Sequence, residues 1–174
     1  MLILIIGPSA VGKSATTHRY AEKYGNCTVV NLDDAVAQLN GTETAFQTVK
    51  QFGWEKFFQD CQTLIMNYEL RDTSDSLTLI DVGEGMLWQE ASRKWLSRYK
   101  RIALVASLEE VFSRRHGVLR LSLEDVYRYS FSGERIQYFR NCEAVIDCNG
   151  LSIEQVVDKM ASIIQDDFHI APLS

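Results

Sequence analysis

Residues 2–14 have the sequence LILIIGPSAVGKS. The first five, Leu2–Ile6, are all apolar, which predicts a strand buried on both faces of a parallel sheet. The next eight, Gly7–Ser14, predict a tight glycine loop, and residues 13–24 predict a helix that ends before Gly25. This order of strand, glycine loop and helix is typical of the first unit of an α/β domain.

The glycine loop matches the phosphate-binding pattern GxxxxGK[ST] without a gap. Its glycines allow a tight turn in which successive backbone N–H groups face phosphate oxygens, and the helix that follows adds its positive end. Lys13 is predicted to reach the β and γ phosphates and to assist their transfer, and Ser14 to bind Mg²⁺. The predicted nucleotide-binding residues are Gly7, Ser9, Ala10, Val11, Gly12, Lys13, Ser14 and Ala15. The sequence therefore predicts binding of ATP with Mg²⁺.

Strand and helix patterns alternate along the rest of the chain. Strands are predicted near residues 29–30, 77–80, 102–105 and 145–146, and helices near 35–39, 54–69, 88–99 and 153–164. Such alternation predicts parallel strands joined by crossover helices, hence one doubly wound α/β domain. We expect this domain to span residues 1–165, followed by a loose tail over 166–174. Ligands of such sheets bind at the carboxyl ends of the strands.

The charge of the chain bears on its partners. It has 174 residues with 18 Lys+Arg and 23 Asp+Glu, a formal net charge of −5, which argues against nucleic acid. The segment from Arg93 to Arg140 nevertheless carries 11 Lys+Arg against 5 Asp+Glu, which suits a small anionic ligand. The apolar run Leu2–Ile6 is too short to span a membrane, and the four cysteines have no zinc-site spacing. We expect a cytoplasmic protein, a monomer or weak homo-oligomer, without a membrane or nucleic-acid partner.

Two aspartates follow predicted strands at the edge where the loop lies. Asp33 is the first choice to orient or deprotonate an acceptor hydroxyl, although it could instead cap the next helix, a role that Asp34 could equally fill. Asp81 ends an apolar strand and could hold the water shell of Mg²⁺ or simply cap a turn.

Four further motifs resemble those of shikimate kinase, a small member of the nucleoside-monophosphate-kinase-like group of phosphate-loop proteins. They are Asn31-Leu32-Asp33, Phe52–Phe58, Gly83-Glu84-Gly85 and Arg135–Phe139, and the resemblance spans residues 2–164. It implies a sheet in the order 2-3-1-4-5 with a lid after the fourth strand. It also implies that Asp33, Gly83, Gly85 and Arg135 bind the substrate. Arg120 is the better candidate for the catalytic lid arginine, with Arg114 or Arg115 nearer the adenine. Each lid arginine could also be a solvated surface side chain.

Three residues depart from that family's pattern. Asn31 stands where the family has the first aspartate of its DxD motif, Phe58 where it has a carboxylate-binding arginine, and Glu84 where it has the middle glycine of a triple. An apolar ring cannot bind a carboxylate as an arginine does.

We therefore predict an ATP-dependent kinase that phosphorylates a hydroxyl of a small anionic metabolite other than shikimate. The alternative is a nucleotide-binding regulatory or partner-binding module. A nucleic-acid-dependent ATPase is disfavoured by the acidic total and the lack of room for a second domain.

Overall fold

Five parallel strands form one sheet in the order β2-β3-β1-β4-β5. The structure is a computed structural model that describes residues 1–25, 27–71, 76–115 and 122–166. The strands are β1 (Leu2–Ile6), β2 (Cys27–Asn31), β3 (Leu77–Asp81), β4 (Lys100–Val105) and β5 (Ala144–Asp147). The predicted doubly wound α/β fold with strand order 2-3-1-4-5 is confirmed.

Helices flank both faces of this sheet. In chain order they are α1 (Lys13–Tyr24), α2 (Leu32–Leu39), α3 (Ala45–Arg71), α4 (Glu90–Leu96), α5 (Leu108–Arg115), α6 (Leu123–Ser130), α7 (Gly133–Arg140) and α8 (Ile153–Asp166). A 3₁₀ turn, Glu84–Leu87, follows β3. No helix in the described part of the chain is long and apolar enough to cross a membrane.

Strand β1 is buried on both faces, as its unbroken apolar run predicts. Ile3 and Ile5 pack into a core that contains Tyr20 of α1 and Met160 of α8. Leu2, Leu4 and Ile6 pack into a second core on the opposite face, which includes Val36 of α2 together with Phe57 and Ile65 of α3. Successive side chains of a strand point to opposite faces, so one strand supplies both cores.

The register of the three central strands brings their carboxyl ends together. Ile5 of β1 pairs with Asp81 of β3, and Asp81 in turn pairs with Asn31 of β2. The loop that follows β1, the start of α2 and the residues after β3 therefore meet at one edge, where doubly wound sheets bind ligands.

The junction of β2 and α2 differs from the prediction. The helix was expected near residue 35, but α2 begins at Leu32. Asn31 is its N-cap, since the Asn31 side chain accepts a hydrogen bond of 3.2 Å from the Asp34 N–H. Asparagine is among the best N-cap residues. The alternative that Asp33 or Asp34 caps the helix is therefore excluded, and the Asp33 side chain does not serve as the cap.

Other boundaries also differ, for local reasons. The helix predicted to start at residue 54 starts at Ala45, with a break at Gly53, whose φ of 85° is not helical. The helix predicted over 88–99 is shorter, Glu90–Leu96, because a 3₁₀ turn precedes it. Strand β4 begins two residues early and includes the buried Arg101, whose charge is balanced by Glu143 at 2.8 Å. A charged residue inside a strand hides that strand from an apolar-run prediction.

Candidate active site

The glycine loop between β1 and α1 has the backbone of an anion-binding loop. Gly7 and Gly12 have φ angles of 151° and 107°, and Ala10 has a φ of 66°, which non-glycine residues rarely adopt. A Cβ at position 7 would lie 2.2 Å from the Leu104 carbonyl oxygen, so only glycine fits there. Strain of this kind is concentrated at binding sites, where surrounding packing holds it in place.

Lys13 and Ser14, the last two residues of the motif, both face Asp81. The Lys13 side chain is buried and donates to the carbonyl oxygens of Gly7 at 3.3 Å and Pro8 at 3.2 Å. Its amine lies 4.0 Å from Asp81 Oδ1. Ser14 Oγ donates to Asp81 Oδ2. The structure thus brings together the hydroxyl and the carboxylate that the sequence assigns to Mg²⁺.

Asp33 projects from the first turn of α2 into the same region. The hypothetical Cβ of Gly83 would lie 2.1 Å from its Oδ1, so the carboxylate sits against a bare glycine backbone. Within the described residues, Asp33 Oδ1 is buried and makes no hydrogen bond. Burial raises the pKa of this carboxyl to about 6, with Lys13 opposing the shift and Asp81 adding to it. A buried acceptor atom without a donor suits a ligand hydroxyl.

One cavity of about 250 Å³ joins these groups. Its lining combines the loop, the ends of β2 and β3, and the first residues after β3. The lining residues are Ser9, Ala10, Gly12, Lys13, Ser14, Ala15, Asn31, Asp33, Asp81, Gly83 and Glu84. Most of the residues predicted to bind the nucleotide, the metal and the acceptor therefore line the same cavity.

Several predicted residues lie elsewhere. Gly7 forms the base of the loop, and Val11 is buried in the core. Gly85 does not line the cavity, because its Cα faces the ring of Trp54, 3.4 Å from its hypothetical Cβ. Arg120 falls in 116–121, outside the described residues, as does that part of the predicted lid.

Arg114 lies on the side of the phosphate loop away from the cavity that contains Asp33. Its guanidinium donates to the Val11 carbonyl at 2.9 Å and to Glu110 at 2.7 Å. A second cavity, of about 300 Å³, lies beside it. The residues around this cavity come from the loop, α1, Arg114 and the start of α8: Ala10, Val11, Gly12, Thr16, Arg114, Cys148, Leu151, Ile153 and Val156.

An aromatic cluster, formed by Trp54, Phe57, Phe58 and Trp88, lies beside the residues after β3. Trp54 stacks on Phe58 with ring centroids 5.8 Å apart and contacts Trp88 at 4.8 Å. Phe58 is buried and packs in the core on this face of the sheet. Trp88, at the edge of this cluster, is 42% exposed.

Glu84 and Arg135 form an ion pair that sequence reasoning missed. Arg135 Nη1 lies 3.9 Å from Glu84 Oε1, with the side chains 11% and 12% exposed. The Arg135 guanidinium also lies over the Trp88 ring, 5.7 Å from its centroid. Burial lowers the pKa of Arg135, and Glu84 opposes that shift. The sequence did contain a signal. Glu84 lies between two glycines, and Arg135, before the last strand, carries the opposite charge.

Comparison with known proteins assigns the family. The model of the AAA domain family AAA_33 matches residues 2–114, which include the loop, Asp33, Asp81 and Arg114. The chain belongs to this family. This AAA domain protein is also 33% identical, over 96 residues, to the pentafunctional AROM polypeptide of Komagataella phaffii. That match covers 55% of the chain and only 6% of the relative's length.

Solved structures show the same fold as this AAA domain protein. Shikimate kinase from Acinetobacter baumannii, in complex with shikimate, has a TM-score of 0.72 and 19% identity, covering 97% of this chain and 95% of that one. Shikimate kinase from Bacteroides thetaiotaomicron has a TM-score of 0.75 and 13% identity, covering 95% and 98%. The tunicamycin resistance protein of Deinococcus radiodurans has a TM-score of 0.64 and 18% identity, covering 94% of both chains. The predicted shikimate kinase-like fold is confirmed.

The raised pKa of Asp33 predicts a pH-dependent gain in stability when its charge is removed. A carboxyl with a higher pKa in the folded chain than in the unfolded chain costs stability once it ionises. Asp33→Asn should therefore raise the free energy of unfolding relative to wild type above pH 6, on the order of 3 kcal/mol. This advantage should shrink as the pH falls from 6 toward 4, because the folded chain then binds the proton, and it should vanish below the ordinary carboxyl pKa of 3.8. Urea unfolding between pH 4 and pH 8 measures it, with the exposed neighbour changed in Asp34→Asn as control. A difference independent of pH would contradict the prediction.

Proposed function

We propose that this protein transfers the γ-phosphoryl group of ATP to a hydroxyl of a small molecule. The observation that carries the proposal is the buried Asp33 Oδ1, which makes no hydrogen bond within the described residues and lines one cavity with Lys13 and Ser14. A carboxylate opposite a phosphate-binding lysine is placed to accept the proton of an acceptor hydroxyl. The shikimate kinase-like fold supports this assignment.

The donor side follows from the loop. Its backbone N–H groups and Lys13 would bind the phosphates, and the cavity beside Arg114 would hold the base, where Thr16 and Val156 offer a mixed polar and apolar wall. Arg120 remains a proposed lid arginine that would balance charge on the transferring group.

The residues present also fit Mg²⁺. Ser14 Oγ and the carboxylate of Asp81 are hydrogen-bonded to each other, and Mg²⁺ in nucleotide sites takes such hydroxyl and carboxylate oxygens together with phosphate oxygens and water. Ser14 would bind the ion directly and Asp81 would hold its water shell. The ion would supply neutralisation of phosphate charge, while this chain's own residues bind and align the two substrates.

Turnover separates this proposal from its alternative, a nucleotide-binding module. The purified protein is incubated with Mg²⁺, ATP and single hydroxyl compounds spanning polyols, sugars, nucleosides and hydroxy acids, and ADP release is followed. A kinase shows release that depends on one class of acceptor. A binding module binds ATP and releases ADP at the same slow rate with every compound, and that outcome would overturn the kinase proposal.

Shikimate itself is predicted to be a poor acceptor. Phe58 stands where the resemblance to shikimate kinase leads us to expect a carboxylate-binding arginine. Its ring has no hydrogen-bond donor for a carboxylate and is stacked on Trp54. Loss of one charge-assisted contact of this kind costs about 1.5–3 kcal/mol. We expect shikimate-dependent ADP release near background, measured beside a shikimate kinase as positive control. Efficient phosphorylation of shikimate by this protein would show that Phe58 does not decide the acceptor.

A further inference from the structure

Glu84 lies between the phosphate loop and Arg135. Its Oε2 accepts a long hydrogen bond of 3.4 Å from the Ser9 N–H, and its Oε1 faces the Arg135 guanidinium at 3.9 Å. Both side chains of the pair are about nine-tenths buried. Two opposite charges at this distance attract each other, and each offsets part of the desolvation of the other. The charge of Arg135 is thus balanced inside the chain.

The backbone holds Glu84 in this place. Gly83, directly before it, has no room for a side chain because Asp33 lies against its Cα. Gly85, directly after it, faces the Trp54 ring, which would lie at van der Waals distance, 3.4 Å, from a Cβ there. Glu84 itself begins the 3₁₀ turn that follows β3. The glutamate is therefore a fixed feature of the cavity wall, which it lines together with Asp33 and Lys13.

The neighbouring cations among the described residues are also engaged. Arg93 is bonded to the Leu87 carbonyl at 2.8 Å and forms an ion pair of 2.6 Å with Glu134. Lys13 lies against the loop carbonyls and Asp81, on the donor side. An acceptor carboxylate would have to displace Glu84 from Arg135 or enter beside it, and either event places two negative charges beside one buried cation.

We propose that Glu84 is the carboxylate that Arg135 binds, so that the acceptor of this enzyme is an uncharged hydroxyl compound. This inference rests on the kinase function proposed above. A phosphate bound to the loop would compete with Glu84 for the Ser9 N–H. The Glu84 carboxylate would then still pair with Arg135. The Trp88 ring lies 5.7 Å from the Arg135 guanidinium and contacts Trp54, so an aromatic surface adjoins the ion pair. The anionic acceptor expected from Arg135 alone becomes the competing outcome.

The first test compares shikimate with its methyl ester, which carries the same hydroxyls without the charge. Binding is measured by calorimetry, which needs no turnover, so failure of the kinase proposal leaves the result readable. Wild type should bind shikimate no better than the ester. Glu84→Gln should raise the affinity for shikimate by about tenfold or more, the effect of one charge-assisted contact. Its affinity for the ester should stay within about threefold of wild type.

Arg135 must be the origin of that gain. Adding Arg135→Gln to Glu84→Gln should abolish the new shikimate binding, whereas Glu90→Gln, at the exposed start of α4, should change neither ligand. The proposal is overturned if wild type already binds shikimate through Arg135, if Glu84→Gln binds it no better than wild type, or if the gain survives the loss of Arg135.

A double-mutant cycle tests the pair without any ligand. The urea midpoints of Glu84→Gln, Arg135→Gln and the double variant are compared with wild type. The loss of stability in the double variant should be smaller than the sum of the losses in the two single variants. Each single variant leaves one buried charge opposite a neutral side chain, and the second substitution removes that charge. The exposed pair Glu124 and Arg128, 3.4 Å apart, is the matched control and should give additive effects. Additive losses at Glu84 and Arg135 would show that the two side chains do not pair and would overturn the proposal.

Discussion

Lys13→Ala is expected to weaken ATP binding by about 1.5–3 kcal/mol, a factor of roughly ten to a hundred or more, and to lower turnover further. The amine is buried and lies over the loop, bonded to the Gly7 and Pro8 carbonyls and 4.0 Å from Asp81. Its removal takes away the loop's side-chain cation and leaves the charge of Asp81 uncompensated beside the phosphates. Titration with a fluorescent ATP analogue measures the affinity, and ADP release measures turnover.

Lys23→Ala is the matched control. Lys23 lies on the same helix, is largely exposed, and pairs with Glu154 and Asp158 away from the loop. It should bind ATP as wild type does. If Lys13→Ala also binds and turns over ATP as wild type does, the phosphate-loop assignment is wrong.

Asp33→Asn is expected to lower turnover by about two to four orders of magnitude, the usual contribution of a general base. ATP affinity should change by no more than about threefold, because Asp33 acts on the acceptor rather than on the donor. The amide keeps the shape of the side chain but cannot take the acceptor's proton. Asp34→Asn, which alters the exposed next residue, should leave both quantities near wild type. A variant that loses ATP affinity and turnover equally would place Asp33 on the nucleotide side.

The pH dependence of wild-type kcat/KM should also reflect the ionisation of Asp33. Because burial raises the pKa of Asp33 to about 6, its carboxylate is protonated below that pH and cannot accept a proton. The value of kcat/KM for the acceptor should therefore rise with pH through about 6 and then level off. Asp33→Asn should lack this step. A wild-type profile that is flat from pH 5 to pH 8 would separate Asp33 from the proton transfer.

Local patterns were enough to predict the fold and the conformation of the phosphate loop. The apolar run of β1, the complete glycine motif and the helix that follows depend on residues adjacent in the chain, so a linear pattern contains them fully. The alternation of strands and helices then left one class of sheet, and the resemblance to shikimate kinase supplied its strand order. The ends of the elements were less accurate, because Asn31 as a cap and Arg101 inside β4 depend on neighbours that the local pattern does not specify.

The sequence by itself determined that this protein is an α/β phosphate-loop protein with a loop lysine, a following serine and two aspartates at strand ends. Only the tertiary structure decided what stands on the acceptor side. Glu84 and Arg135 lie far apart in the chain, and their meeting depends on how the turn after β3 and α7 pack on the sheet. Burial then fixes the consequences, since a side chain's pKa and the availability of its charge are set by the atoms that exclude water from it. Through packing contacts that no linear motif records, Asp33 Oδ1 is buried without a hydrogen bond within the described residues, and Arg135 pairs with Glu84.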